Sequence, residues 1–154
     1  MKRRRTGATA LAAERRNGDF VRGLIEAARI SACHDISDGG LLVAVAEMSL
    51  AALAEGREIG AQIELPDDGI PHHAWCFGED QARYIVSAGP EQAKTILQDA
   101  KGANIPISSI GLSGGDALTL GGTDAISLSE LQRVHEAGRR QVRAGQAQRE
   151  AHGA

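Results

Sequence analysis

The sequence predicts an α/β (α+β) fold, a single domain in which helices pack on a mixed four- to five-stranded sheet. Stretches with helical periodicity alternate with short stretches of strand periodicity, in the order α, (β), α, β, β, α, β, β, α. The 154 residues suffice for one ordinary domain with a buried core. Because the strands are short and turn residues separate them, hairpin links are favoured over a fully parallel, doubly wound sheet.

The first predicted elements surround an acidic, glycine-rich segment. Asn17 is expected to cap a helix whose apolar residues then fall on one face. A short apolar piece at 30–33 leads into the segment His34-Asp35-Ile36-Ser37-Asp38-Gly39-Gly40. The helix that follows, over 41–52, is apolar almost all round, which is typical of a helix buried on most sides.

The middle of the chain predicts two strands and a helix. Residues 59–65 alternate between apolar and polar, and Pro66-Asp67-Asp68-Gly69 ends this strand as a turn. A second strand is predicted over 82–88. Pro90 suits the first position of a helix, whose apolar residues recur at helical spacing until Asn104 ends it.

The last third of the chain predicts two further strands and a helix. The strands, over 105–112 and 117–120, are joined by Ser113-Gly114-Gly115-Asp116, which has the composition of a hairpin turn or, alternatively, of an anion-binding nest. Ser127 and Glu130 have capping-box spacing at the start of the last helix. Beyond it the chain becomes polar and interrupted by glycine, which is typical of a disordered tail.

Charge and composition exclude several classes of function. Residues 1–16 carry six Lys/Arg and one Glu, and residues 132–154 carry five Arg and two Glu, which leaves 17–131 at a net −11. Such an acidic centre is a poor nucleic-acid surface. No apolar run approaches the roughly 18 residues that span a bilayer, so we predict no membrane contact and a cytoplasmic location. The two cysteines have neither disulfide-framework nor metal-ligand spacing.

The acidic glycine segment is the first candidate site. Glycines at a helix start let the backbone approach a ligand, and free amides there favour anions. Asp35 and Asp38 would repel a bare phosphate, so a phosphate here would need Mg²⁺ between them. Alternatively, Asp38 caps the helix, the glycines allow the turn and Asp35 bonds locally. The candidate residues of a substrate or nucleotide cleft are His34, Asp35, Ser37, Asp38, Gly39 and Gly40.

A second polar cluster lies just before the strand at 82–88. Its candidate residues are Phe77, Gly78, Glu79, Asp80 and Arg83. One carboxylate could be an acid, a metal ligand or an ion-pair partner across a domain boundary, and a loop salt bridge is the simpler alternative. No nucleophile elbow, Walker loop, zinc signature or dinucleotide fingerprint is present, so we assign no catalytic residue and no metal ligand.

Several motifs in one order resemble a known family. The stretch L-A-A-E-R-R-N-G-D-F-V-R-G-L-I is followed by C-H-D-I-S-D-G-G-L-L-V-A-V-A-E-M, then H-A-W-C-F-G-E-D-Q-A-R-Y-I-V, then I-G-L-S-G-G-D-A-L-T-L. Together they resemble the last domain of phosphoribosylformylglycinamidine synthase, of the aminoimidazole ribonucleotide synthetase-like C-terminal superfamily. The resemblance implies that this domain occupies 11–137, between an unmatched, disordered N-terminus at 1–10 and a polar, disordered tail at 138–154.

The resemblance also implies an activity for the full enzyme. That ligase uses ATP, Mg²⁺ and glutamine-derived ammonia to convert formylglycinamide ribonucleotide to its amidine in purine biosynthesis. Its partners would be the remaining synthase domains, a glutaminase subunit and a small accessory subunit. The catalytic histidine and the Mg²⁺ carboxylates lie in upstream domains of the family, so the resemblance assigns no cofactor to this chain and implies that it is inactive alone. The two candidate segments would then line an interdomain cleft.

Three functional hypotheses follow from these observations. The first is a truncated or frameshifted piece of the synthase whose exposed interdomain surface would favour self-association. The second is a stand-alone module that binds a nucleotide or another synthase subunit. The third is a fragment of a sibling enzyme such as aminoimidazole ribonucleotide synthetase, against which the F-G-E-D-Q-A-R segment argues.

Overall fold

A computed structural model describes residues 7–67, 69–79 and 82–152. Within these residues the chain forms five helices and six strands, and the predicted α/β class is confirmed. The helices are α1 (Gly7–Glu26), α2 (Gly40–Ala54), α3 (His72–Phe77), α4 (Pro90–Gly102) and α5 (Leu128–His152). The strands are β1 (Ala32–Asp35), β2 (Ala61–Ile63), β3 (Tyr84–Ser87), β4 (Gly111–Ser113), β5 (Ala117–Leu120) and β6 (Asp124–Ser127).

The described residues fall into two compact units, each with its own sheet. The first unit comprises the described parts of Met1–Met48 and Leu65–Gly111, and the second those of Ser49–Glu64 and Leu112–Ala154. In the first unit β1 and β3 form an antiparallel two-stranded sheet. The second unit holds a mixed sheet in the order β4-β2-β5-β6, with β2 parallel to β5 and β5 antiparallel to β6. The strand predicted over 82–88 therefore pairs outside the four-stranded sheet.

The core of the first unit forms around the start of α2. Leu41 is only 2% exposed, and it clusters with Ile36 and Ala44. Three partly buried side chains, Trp75, Ile85 and Ile110, pack against this cluster. The all-round apolar character of α2 predicted such burial, because a helix with no polar face needs cover on most sides.

Helix α1 begins ten residues before the predicted start. It starts at Gly7, so the prediction that Asn17 caps it is wrong. Residues 7–16 contain four alanines and two arginines, which are strong helix formers and extend the helix upstream. Asn17 instead points into the unit, where its Nδ2 donates to the Ala82 carbonyl at 3.0 Å. Of the N-terminus predicted as disordered, 7–10 are helical and 1–6 lie outside the described residues.

The segment at 113–116 is not a hairpin turn. Strand β2 lies between β4 and β5, so the two strands that this segment links are not neighbours. The Gly114 N–H donates to the Gly60 carbonyl, and the Gly60 N–H donates to the Gly115 carbonyl, both at 2.8 Å. The segment thus pairs with the start of β2, about 55 residues earlier, a tertiary contact that local turn chemistry does not encode.

Other element boundaries also differ from the prediction. The strand predicted over 105–112 is present only at its end, where residues 111–112 form the start of β4. The strand β6 and the short helix α3 were not predicted. Both are short: α3 has six residues, fewer than the roughly 10–12 over which helical periodicity is recognised, and β6 has four, about the lower limit for a strand pattern. The strand predicted at 117–120 is confirmed as β5.

Helix α5 starts where the capping box predicts and ends later than expected. The Glu130 N–H donates to Ser127 Oγ at 3.2 Å, which confirms the cap. The helix then continues to His152, through the part predicted as a disordered tail. Four Arg, four Ala and three Gln make up most of residues 138–154, and these residue types have high intrinsic helix propensity. Pairs one turn apart, such as Arg140 with Glu136 at 3.6 Å, add to it.

Removing the cap of α5 is expected to destabilise the chain measurably. Ser127→Ala leaves the Glu130 N–H without its acceptor, which should lower the free energy of unfolding by about 1 kcal/mol. Ser127→Asn keeps an acceptor and should stay within a few tenths of the parent chain. Urea denaturation followed by circular dichroism compares the two, and equal losses would contradict a capping role.

Candidate functional site

The two candidate segments predicted from sequence lie against each other in the first unit. The Gly39 N–H donates to Glu79 Oε1 at 3.0 Å. A Cβ at Gly40 would lie 2.6 Å from Phe77 Cα and 2.8 Å from the Cys76 carbonyl oxygen, far inside van der Waals contact. The backbones therefore approach so closely that only glycine fits at position 40. We call this contact between 39–40 and 76–79 the loop junction.

The glycines of the acidic segment have the backbone conformation that the junction requires. Gly39 has φ 85° and Gly40 has φ 76°, both in the left-handed region that favours glycine. Helix α2 begins at Gly40, so the junction lies at its N-terminus. The carboxylate that reaches an amide here comes from Glu79, which suits the positive end of the helix dipole. Asp35, Ser37 and Asp38 lie on the same segment with exposed side chains.

Arg83 joins the two segments from the other side. Its Nη1 donates to the Gly78 carbonyl at 3.3 Å, and its own carbonyl accepts from the Ile36 N–H at 2.8 Å. The first bond holds the end of α3, and the second continues the β1–β3 pairing into the acidic segment. Asp80, the remaining predicted residue of this cluster, lies outside the described residues.

Phe77 presents an apolar ring beside the loop junction. It is 57% exposed at the end of α3, although large aromatic side chains are usually well buried. Phenylalanine is among the aromatic residues that are enriched in the cores of protein interfaces.

His34 is held between two oxygen acceptors. Its Nδ1 lies 2.6 Å from the Asp35 carbonyl oxygen, and its Nε2 lies 3.2 Å from Glu47 Oε2. Glu47 was not predicted as a site residue. It is the single charged residue in the sequence of α2, and that isolation was the available signal. His34 lies in β1 and Glu47 lies in α2. Their contact therefore connects the two elements that flank the acidic segment.

An open depression of about 630 Å³ lies beside His34. Its lining residues come from α1, β1 and β3 and are Gly18, Val21, Arg22, Ile25, Cys33, His34, Asp35 and Tyr84. Partial burial, and then the Asp35 carboxylate, raise the pKa of the Cys33 thiol above its ordinary value. A raised pKa keeps this thiol protonated at neutral pH, so Cys33 is a poor nucleophile.

The titration of Cys33 provides a test of this local electrostatics. At pH 8 we expect Cys33 to react with iodoacetamide more slowly than an unperturbed thiol, because less thiolate is present. Asp35→Asn removes the repelling carboxylate and should speed the labelling at the same pH. Peptide mass spectrometry reports each cysteine separately, and buried Cys76 is the internal reference. Unchanged labelling of Cys33 in the Asn variant would contradict the proximity of the carboxylate.

The part of the chain that the structure describes holds neither a metal-binding cluster nor a membrane-spanning helix. Among the described residues, no group of three or more His, Cys, Asp or Glu side chains could hold a metal ion. Within the same residues, every helix is too short or too polar to cross a membrane.

The chain is similar to known proteins over most of its length. Residues 6–123 match the family model of the AIR synthase related protein, C-terminal domain. Phosphoribosylformylglycinamidine synthase subunit PurL of Parvibaculum lavamentivorans is 51% identical over 126 residues, which are 82% of this chain and 16% of the relative. The same subunit of Methylocella silvestris is 54% identical over 121 residues, 79% of this chain and 16% of the relative. The chain thus spans about one-sixth of the length of these curated relatives.

Solved structures share the fold at low sequence identity. Thermotoga maritima PurL complexed with FGAR superposes with a TM-score of 0.62 at 18% identity, over 77% of this chain and 20% of that one. The same protein complexed with ATP gives a TM-score of 0.58 at 19% identity, over 75% of this chain and 21% of that one.

Proposed function

Because the chain belongs to the family of AIR synthase related protein C-terminal domains, we propose that it serves as such a domain in a phosphoribosylformylglycinamidine synthase. In that role it is part of an ATP-dependent ligase that converts formylglycinamide ribonucleotide to its amidine. The observation that carries the proposal is the 51% identity to a PurL subunit, maintained over 126 residues.

The contribution of this domain is the shape of a cleft, with the chemistry supplied elsewhere. The loop junction supports this, because it fixes two backbones by a glycine contact and a carboxylate–amide bond. We propose that other domains hold the Mg²⁺ of the assembled enzyme, in line with the lack of a group of three or more His, Cys, Asp or Glu side chains fit for a metal ion among the described residues. ATP and formylglycinamide ribonucleotide are proposed as ligands of the assembled enzyme, in line with the two Thermotoga maritima complexes. The chain alone is proposed to be inactive.

The partners of the domain follow from the same assignment. We propose that the remaining synthase domains, supplied by a longer protein or in trans, cover the surface around Phe77, and that a glutaminase subunit and a small accessory subunit complete the complex in the cytoplasm. The 57% exposure of Phe77 supports a contact there. Without those partners, we propose that the exposed interdomain surface would favour self-association.

A domain exchange tests the proposal directly. The section of Parvibaculum lavamentivorans PurL that aligns with this chain is replaced by the corresponding 126 residues, and ATP-dependent formation of the amidine is measured with ammonia as nitrogen donor. We expect the chimera to keep a kcat within about tenfold of the parent subunit, and the chain alone to show no turnover.

The matched control is a chimera that carries Gly40→Val. A β-branched side chain at φ 76° beside the Phe77 backbone should abolish the loop junction and the activity together. A well-folded, monodisperse parent chimera without activity would contradict the proposed function. Turnover by the chain alone would contradict the proposal that it is inactive without its partners.

A further inference from the structure

Asn17 makes a tertiary contact outside the loop junction. Its Nδ2 donates to the Ala82 carbonyl at 3.0 Å, across 65 positions of sequence, and the contact is partly buried. The next residue, Gly18, faces the same strand entry, since a Cβ there would lie 3.4 Å from Tyr84 Oη. Helix α1 is thereby placed directly against the backbone that leads into β3.

Ala82 has a conformation that alanine rarely adopts. Its φ is 64°, in the left-handed region where a Cβ meets the following carbonyl. Such a residue persists only where its surroundings hold it, and strained residues of this kind concentrate at functional sites. The hydrogen bond from Asn17 to the carbonyl of this residue is a contact that can hold it.

The backbone that follows Ala82 reaches both candidate segments. Arg83 accepts the Ile36 N–H through its carbonyl and donates to the Gly78 carbonyl through its guanidinium. A change of φ at Ala82 would move both of these groups, because they follow it directly in the chain. The orientation of the loop junction therefore depends on a residue that the junction does not contain.

We infer that Asn17 is a positioning residue of the site: its carboxamide holds Ala82 in the left-handed conformation, which aims Arg83 at Ile36 and at Gly78. The inference rests on the proposed function for its effect on turnover, whereas its effect on the loops is a property of this chain alone. Asn17 acts through Ala82 and Arg83, and it touches no reacting group.

The first test follows amide hydrogen exchange in the full chain, residue by residue. Asn17→Asp keeps the shape of the side chain but replaces the donor with an acceptor that faces a carbonyl. We expect exchange at the Ile36 amide to become roughly tenfold faster, the range of a lost hydrogen bond. The Ala103 amide, which bonds to the Asp99 carbonyl at the end of α4, should not change. Arg16→Gln, on the neighbouring exposed position, is the matched control.

A second substitution separates positioning from general destabilisation. Ala82→Gly adopts φ 64° without a Cβ, so glycine needs no support there. In the double variant, Asn17→Asp with Ala82→Gly, exchange at Ile36 should return to within about threefold of the parent chain. Equal acceleration at Ile36 and Ala103, or failure of the glycine to restore exchange, would overturn the inference.

The chimera described above supplies the functional arm. There Asn17→Asp should lower kcat/KM for formylglycinamide ribonucleotide roughly tenfold at an unchanged melting temperature, and Ala82→Gly should restore most of it. An active chimera that is indifferent to Asn17→Asp would remove the role of Asn17 in the reaction. An inactive parent chimera would contradict the proposed function instead, while hydrogen exchange would still decide whether Asn17 positions the loops.

Discussion

Gly40→Ala is expected to lower the free energy of unfolding by about 3 kcal/mol, the sum of a backbone cost and a steric cost. A non-glycine residue in the left-handed region costs about 1 kcal/mol. The new Cβ would also meet the Phe77 backbone at 2.6 Å, and relieving that overlap must separate the loop junction at a cost of about 2 kcal/mol. Because a domain is stable by only about 5–15 kcal/mol, this is a large fraction of the total.

The chain contains a matched control for this substitution. Gly56 has the same φ of 76°, and a Cβ there would meet nothing within 4 Å. Gly56→Ala should therefore lose only the backbone cost of about 1 kcal/mol. Urea denaturation of both variants isolates the steric difference, and equal losses would show that the two segments do not approach as closely as the structure indicates.

Leu41→Ala is expected to cost about 3 kcal/mol, within the range measured for buried leucines elsewhere. Leu41 is 2% exposed, and its neighbours Ile36 and Ala44 are held by β1 and α2, so the cavity cannot collapse easily. Leu112→Ala is the comparison, since that side chain is 71% exposed and should change stability by less than about 0.5 kcal/mol. A small loss at Leu41 would mean that this cluster is loosely packed.

Sequence patterns predicted the elements whose signal lies within their own residues. Ser127 caps α5 as expected, because its partner lies three residues away and needs no tertiary context. The strand β5 was placed correctly by the apolar content of residues 117–120. Helix α2 was recognised as a buried helix because its own sequence is apolar almost all round, and Leu41, Ala44 and Val45 are indeed buried.

Patterns failed where distant contacts decide the structure. Asn17 has the chemistry of a helix cap, yet its side-chain amide donates to a carbonyl 65 positions away. The glycines at 114 and 115 have the chemistry of a hairpin turn, yet they pair with Gly60. In both cases the residue type was informative and its partner could not be known from nearby sequence.

The candidate site was predicted in part for a related reason. Gly39, Gly40, Phe77 and Glu79 were each singled out, and the structure adds that they meet. Glu47 and Asn17 were not proposed as site residues, because each lies inside a helix and acts through one long-range contact. Glu47 is the lone charged residue of an otherwise apolar helix, which was the available sequence signal. Asn17 had no comparable signal.

The pairing of β1 with β3 has a consequence for the synthesis of the chain. Their partners, Ala32 with Ser87 and Asp35 with Tyr84, lie about 50 residues apart in sequence. At ribosomal rates of about 5–20 residues per second, β1 waits roughly 3 to 10 seconds for β3 to be made. Throughout that interval its edge is unpaired beside the apolar α2, and such edges are prone to aggregate. We therefore expect the yield of native chain to rise when translation is fast or when a chaperone covers the nascent strand.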